Sequence, residues 1–176
     1  MSMTLTEIFV SIIMNSQNFV HKWGYLGIFI VSLVGSASII FPVPIFVILF
    51  TFGAIFNPLL VALAGALGSS IGSLTSYFLG LGGKEILEDK HEKKLNDIKK
   101  TFKKYGAPFW IFIAHATPLP DDIVGIFCGM IRYDFKKYFI AVFLGQLLLS
   151  LVLAYSGYYS LNWMLDYLQP RLGFLE

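Results

Sequence analysis

The chain has 176 residues, of which 56% are hydrophobic and only 14% charged, and its formal net charge is +2; its mean hydropathy is +0.71. A water-soluble domain carries about a quarter charged residues, so this composition excludes a soluble globular protein and implies one integral membrane domain. The single Cys128 excludes an internal disulfide and a cysteine-based metal centre.

Residues 1–22 carry Glu7 and the polar run Asn15, Ser16, Gln17 and Asn18, with no basic start. They read as an amphipathic or membrane-embedded helix and not as a cleavable leader. From Trp23 to Gly83 there is no Lys, Arg, Asp or Glu. As one helix this run would be about 90 Å long, against roughly 30 Å of hydrocarbon in a bilayer. Pro42-Val43-Pro44 divides it. Residues 24–41 form one apolar piece and 45–56 a second, which at about 18 Å is too short to cross. Asn57-Pro58 is a turn signal, and 59–82 then make a full span. Gly65, Gly68, Ser69, Gly72, Ser73 and Ser76 recur in it at spacings of three and four, which allows close helix packing in lipid.

Residues 84–106 change character. Eight of the 13 Lys and Arg residues lie here, with five interleaved acids. The segment reads as a water-exposed, partly amphipathic linker helix on the cytoplasmic face. Its acids and its membrane flanks argue against nucleic acid, and anionic lipid headgroups suit it better.

The layout then repeats. Residues 107–117 are too short to span, Pro118-Leu119-Pro120 breaks the chain, and 122–131 follow. Pro42 and Pro118, Pro44 and Pro120, and Gly53 and Gly129 are all 76 residues apart. Arg132, Lys136 and Lys137 come next, ahead of an uncharged run from Tyr138 to Leu165. Keeping these cations cytoplasmic makes 107–131 a hairpin that enters and returns. By the repeat, 24–56 dips in from the opposite face. Irregular backbone at membrane depth needs protein or water around it, so the hairpins should meet in the middle. The expected fold is all-α: two inverted repeats, 24–83 and 107–168, each a Pro-broken re-entrant helical hairpin followed by a transmembrane helix.

Transporters built from inverted repeats place their substrate at such breaks. Asp121 and Asp122 are the only acids beside one, where a carboxylate costs on the order of 3 kcal/mol or more. Three roles suit them: capping the helix that follows, relaying a proton or cation, or touching substrate. Adjacent carboxylates do not readily ionise together. His115, six residues before Asp121, lies on the opposite arm, either as a relay partner or as a packing residue. Arg132 is either an interfacial anchor or a bidentate grip on a lipid phosphate. The half-helices starting near Ile45 and Asp122 aim their N-termini at the membrane centre, which suits an anion. Pro42, Pro44, Pro118 and Pro120 stop helix continuation, and Ser36, Ser38 and Thr117 place hydroxyls beside the breaks. There is no nucleophile–base motif, metal cluster or phosphate-binding glycine loop, so no enzyme, metal or cofactor is expected.

Several segments resemble the DedA family, also described as the VTT or "SNARE-associated" membrane domain, across roughly residues 24–160. They are Gly35-Ser36-Ala37 through Pro44, the Gly68-to-Gly80 helix with Leu74-Thr75-Ser76-Tyr77, Lys104-Tyr105-Gly106, and Pro118 through Arg132. Thr117-Pro118-Leu119-Pro120-Asp121-Asp122 and Cys128-Gly129-Met130-Ile131-Arg132 look most like the YqaA-type branch, with Asp122 at the position of that branch's Asp. The resemblance implies opposed re-entrant hairpins in a cell membrane, most readily a prokaryotic plasma membrane. It also implies movement of lipids, polyprenyl phosphate or phospholipid, between leaflets. Two departures stand out. Val34, Gly35 and Phe46 occupy places that are acidic in well-studied members, and His115 and Asp121 stand nearest to places that hold arginine. The expected activity is lipid transport without a cofactor, in a monomer or a homo-oligomer. The competing readings are an ion-coupled solute transporter and a non-transporting membrane-organising protein.

Overall fold

The computed structural model describes residues 22–37, 45–82, 106–117 and 121–172. The breaks at Pro42–Pro44 and Pro118–Pro120, Ser38, residues 1–21 and nearly all of the basic linker lie outside these residues. Every regular element described is a helix: α1 Tyr25–Ala37, α2 Ile45–Ile55, α3 Pro58–Gly82, α4 Ala107–His115, α5 Asp122–Met130 and α6 Phe135–Leu172. Pro58–Gly82 and Phe135–Trp163 are long and apolar enough to cross a bilayer; the other four are shorter, as the Pro-divided sequence predicts.

Local chemistry sets the ends of these helices. The Asn57 side chain accepts from the backbone N–H of Leu59 at 3.0 Å and of Leu60 at 3.4 Å, and Pro58 fills the first helical position, where its missing N–H costs nothing. Asp134 starts α6 by accepting from the Lys137 N–H at 2.9 Å. Ser70 and Ser73 donate their hydroxyls to Ala66 O and Ser69 O one turn back. Such back-bonding hides polar groups inside a helix and tends to bend it. The single irregular residue of α3 is Ser73.

Glycines decide how the helices cross. On the α1–α3 contact, a Cβ at Gly72 would sit 2.5 Å from Leu33 O and 2.8 Å from the Ser36 Cβ. On the α4–α6 contact, a Cβ at Gly145 would sit 2.6 Å from Phe112 O and 2.9 Å from the His115 Cβ. The pattern is the same: a carbonyl, then a Cβ three residues on. In both hairpins, therefore, the first arm lies against the long helix of its own half, with the backbones nearly touching.

The second arms cross over. Gly53 of α2 abuts the backbone of Ala154 in α6, and Gly157 of α6 abuts Phe50 O in α2. Gly129 of α5 abuts Tyr77 O in α3, and Gly80 of α3 abuts Ile126 O in α5. Each pair maps onto the other by a shift of 76 residues in the second arm and 77 in the long helix. Tyr77 stacks on Tyr138, with ring centroids 4.8 Å apart, whereas Ala154 packs with Val61 and Ala62. These contacts make α3 and α6 antiparallel.

Two apolar clusters result. One joins Ile28, Ile48, Leu49, Phe52, Val61 and Ala62 to Ala154. The other joins Tyr77 to Ala107, Ile111, Cys128, Ile131, Tyr138 and Val142. Outward faces stay apolar: Val34, Phe46, Ile71, Phe78, Ile123, Ile140, Leu148 and Val152 are all exposed. So much exposed apolar surface fits a lipid surround and not water.

Candidate functional site

The interior carboxylates, imidazole and amide gather where α4 and α5 approach α3 and α6. Asp121 and Asp122 open α5, and Asp121 makes no side-chain capping bond. Its carboxylate turns instead to α6, where the Gln146 amide donates to Oδ2 at 3.1 Å. The His115 Nε2 lies 3.5 Å from the same oxygen, so the hairpin does bring the two arms together at this pair. Asp122 turns to α3 and accepts from the Ser76 hydroxyl at 2.5 Å. The acidic pair is thus divided: one carboxylate is held by each long helix.

The imidazole is fixed by its other nitrogen. Nδ1 lies 2.8 Å from Ile111 O. A carbonyl only accepts, so Nδ1 carries the hydrogen, and in the neutral ring Nε2 presents a lone pair. Only 1% of the His115 side chain is exposed, and its Nε2 has no hydrogen-bond partner among the described residues. Tyr138 meets the ring edge-on at 6.2 Å, and its hydroxyl reaches Ser73 O at 3.4 Å. Gly125 makes room here, because a Cβ would lie 2.9 Å from both the Tyr138 hydroxyl and the Ser76 Cβ.

The other expected site residues lie elsewhere. The Thr117 hydroxyl donates back to Ile113 O and Ala114 O at 3.1 and 3.2 Å, which satisfies it locally. Ser36 sits at the α1–α3 crossing beside Gly72. Arg132 lies ten residues beyond Asp122, about 15 Å along the helix axis. Its backbone is left-handed, with φ 50°. Arg132 N donates to Gly129 O and Tyr133 N to Cys128 O, both at 2.9 Å. Those two bonds close the end of α5 in the way glycine usually does. Among the described residues no group of three or more His, Cys, Asp or Glu is placed to hold a metal ion.

Three contributors went unread in the sequence. In the sequence Ser76 stands as a small packing residue within a family-like segment, and Tyr138 as the start of an apolar run. Gln146 carried a signal, as the single amide in residues 138–161. In a helix bound for lipid, such a group needs a polar partner.

The VTT domain model matches residues 43–159. The uncharacterized protein MJ0201 of Methanocaldococcus jannaschii is 31% identical over 134 residues, covering 74% of this chain and 82% of that one. No solved structure matches.

Proposed function

Since the chain belongs to the VTT-domain (DedA) family of membrane proteins, we propose that it moves a lipid, a phospholipid or a polyprenyl phosphate, between bilayer leaflets. The observation that carries this reading is the divided acidic pair, two carboxylates held with an imidazole and an amide inside a largely apolar domain. Gln146 is 11 residues into the 29-residue apolar stretch of α6, about 17 Å from its start. The carboxylate it holds therefore lies near mid-depth of a hydrocarbon layer roughly 30 Å thick. A polar headgroup crossing there exchanges water for Asp121, Asp122, His115, Gln146 and Ser76 while its tails stay in lipid.

In the membrane arrangement we infer, both hairpins are re-entrant and enter from opposite faces. The antiparallel long helices and the doubled glycine contacts support this. Cysteines at positions 57 and 106, in a background without Cys128, test it with a membrane-impermeant reagent. Labelling of both from one side overturns the inverted arrangement.

The activity itself is tested with the full chain in liposomes carrying acyl-labelled phospholipid or polyprenyl phosphate. Exchange between leaflets faster than in empty liposomes is the expected result. Absence of exchange for every lipid removes the proposal, and ion or solute flux without lipid movement favours a coupled solute transporter. The His115–Asp121 pair keeps that second reading in play.

A further inference from the structure

We propose that the chain's own residues 3–14 dock as an amphipathic helix into an open groove between α2 and α6. The groove holds about 330 Å³, and its walls are almost wholly apolar. Phe50, Thr51 and Ile55 line it from α2, and Gly157, Ser160 and Leu161 from α6. Phe50 and Ile55 are exposed. Depth sets lipid tails aside as the cover, given the placement of Gln146 near mid-depth. Gly157, Ser160 and Leu161 follow Gln146 by 11, 14 and 15 residues, about 17, 21 and 23 Å along the helix axis. The hydrocarbon ends about 15 Å from mid-depth. The α6 wall of the groove therefore stands at the headgroup layer, where an open apolar patch calls for a protein partner.

The start of α1 selects that partner. The Tyr25 hydroxyl accepts from the Asn57 N–H at 3.2 Å, and its ring centroid lies 5.5 Å from that of Phe56. Phe56 directly follows Ile55 of the groove, so the chain ahead of α1 is delivered to the groove's end of the bundle. Residues 1–21, outside the described residues, supply a matching sequence. Leu5, Ile8, Phe9, Ile12 and Ile13 recur at spacings of three and four, which puts them on one face of a helix. Glu7 falls on the opposite face. A helix over 3–14 is about 18 Å long. Residues 15–21 join it to Lys22 and reach up to about 23 Å when extended, enough for the helix to turn back onto the groove. Docked there, it braces α2 of the first half against α6 of the second.

The test uses the full chain in membranes, without Cys128. Phe9→Cys combined with Ile55→Cys should form a disulfide within one chain under a thiol oxidant, read as a shift on a non-reducing gel. Glu7→Cys combined with Ile55→Cys should link severalfold less, because Glu7 faces away. No link from position 9, or equal linking from positions 7 and 9, overturns the docking. Linked dimers in place of linked monomers give the groove to a second copy and overturn it as well. Phe9→Asp puts a charge into the groove and should raise severalfold the labelling of Ile55→Cys by a membrane-impermeant maleimide. Unchanged labelling counts against the inference, and the cysteine pairs decide the matter where Phe9→Asp fails to fold. None of these readouts is lipid exchange, so a failure of the transport reading and a failure of the docking are seen separately.

Discussion

Where the first arm of hairpin one crosses its long helix, Ser36 stands beside Gly72; where the first arm of hairpin two makes the same crossing, His115 stands beside Gly145. The frame is shared and the chemistry is not. In the first half the described helices α1 and α2 contain no charged residue at all. In the second half the matching crossing leads to two carboxylates, an imidazole and an amide. The ends of the second arms differ as well. The first half passes from α2 to α3 through Asn57, whose side chain caps the helix. The second half passes through Arg132 in a left-handed turn before Asp134 caps α6. The glycine contacts recur in both halves, and the acidic residues lie in only one of them. Backbone contacts tolerate that divergence because six glycines, Gly53, Gly72, Gly80, Gly129, Gly145 and Gly157, let the helices meet backbone to backbone.

The largest expected effect tests the shared frame. Gly80→Ala and Gly157→Ala each force a Cβ onto a backbone carbonyl of the opposing half, Ile126 O or Phe50 O. A carbonyl in a helix cannot rotate aside as a flexible side chain can. Each should cost on the order of 3 kcal/mol, the upper end for overpacking. Unfolding by graded denaturant in detergent measures it. If one variant is strongly destabilised and the other is not, the halves are not mechanical equivalents and the comparison fails.

The next effect tests the chemical difference. Asp121→Asn and Asp122→Asn keep shape and remove charge, so each should lower lipid exchange at least tenfold, one charge-assisted interaction's worth. Ser36→Ala, at the matching place in the first half, should leave exchange unaltered. Normal transport by the double Asn variant would reduce the acidic pair to a structural feature.

Gln146→Leu probes the support of the site. It removes the amide that donates to Asp121 at 3.1 Å while keeping the side-chain volume similar. An unsatisfied partly buried acceptor costs roughly 1–3 kcal/mol. The expected outcome is a lower unfolding midpoint together with weakened exchange. Exchange that survives intact would place Gln146 outside the working site.

How much of this was legible beforehand follows from the kind of signal each feature leaves. The division into short and long apolar helices was readable because Pro and Gly punctuate a chain strongly, as Pro58 at the start of α3 shows. The meeting of His115 and Asp121 followed from placing them on opposite arms of one hairpin. The crossing-over of second arms was not readable. Helices in lipid are apolar on their outer faces too, so hydrophobic periodicity does not mark which side is buried; Gly53 gives no hint that its neighbour is Ala154. The splitting of Asp121 and Asp122 between two long helices was hidden for the same reason. The free N-terminus of α5, read as a seat for an anion, already has those two carboxylates beside it.

The smallest expected effect concerns the unequal exits of the second arms. Arg132 holds φ 50°, a conformation that costs a non-glycine residue roughly 1 kcal/mol. Arg132→Gly relieves that cost and should raise stability by up to about 1 kcal/mol, unless the guanidinium repays it by anchoring at the interface or holding a lipid phosphate. Arg132→Lys separates the possibilities, since it keeps the charge and the strain but loses bidentate geometry. If glycine stabilises the protein and slows exchange while lysine also slows exchange, the strain is retained for a phosphate contact. If lysine behaves as wild type, a positive charge at the interface suffices. If glycine neither stabilises nor slows exchange, the left-handed turn at Arg132 is only a different way of ending a helix, and the difference between the halves narrows to the acidic site.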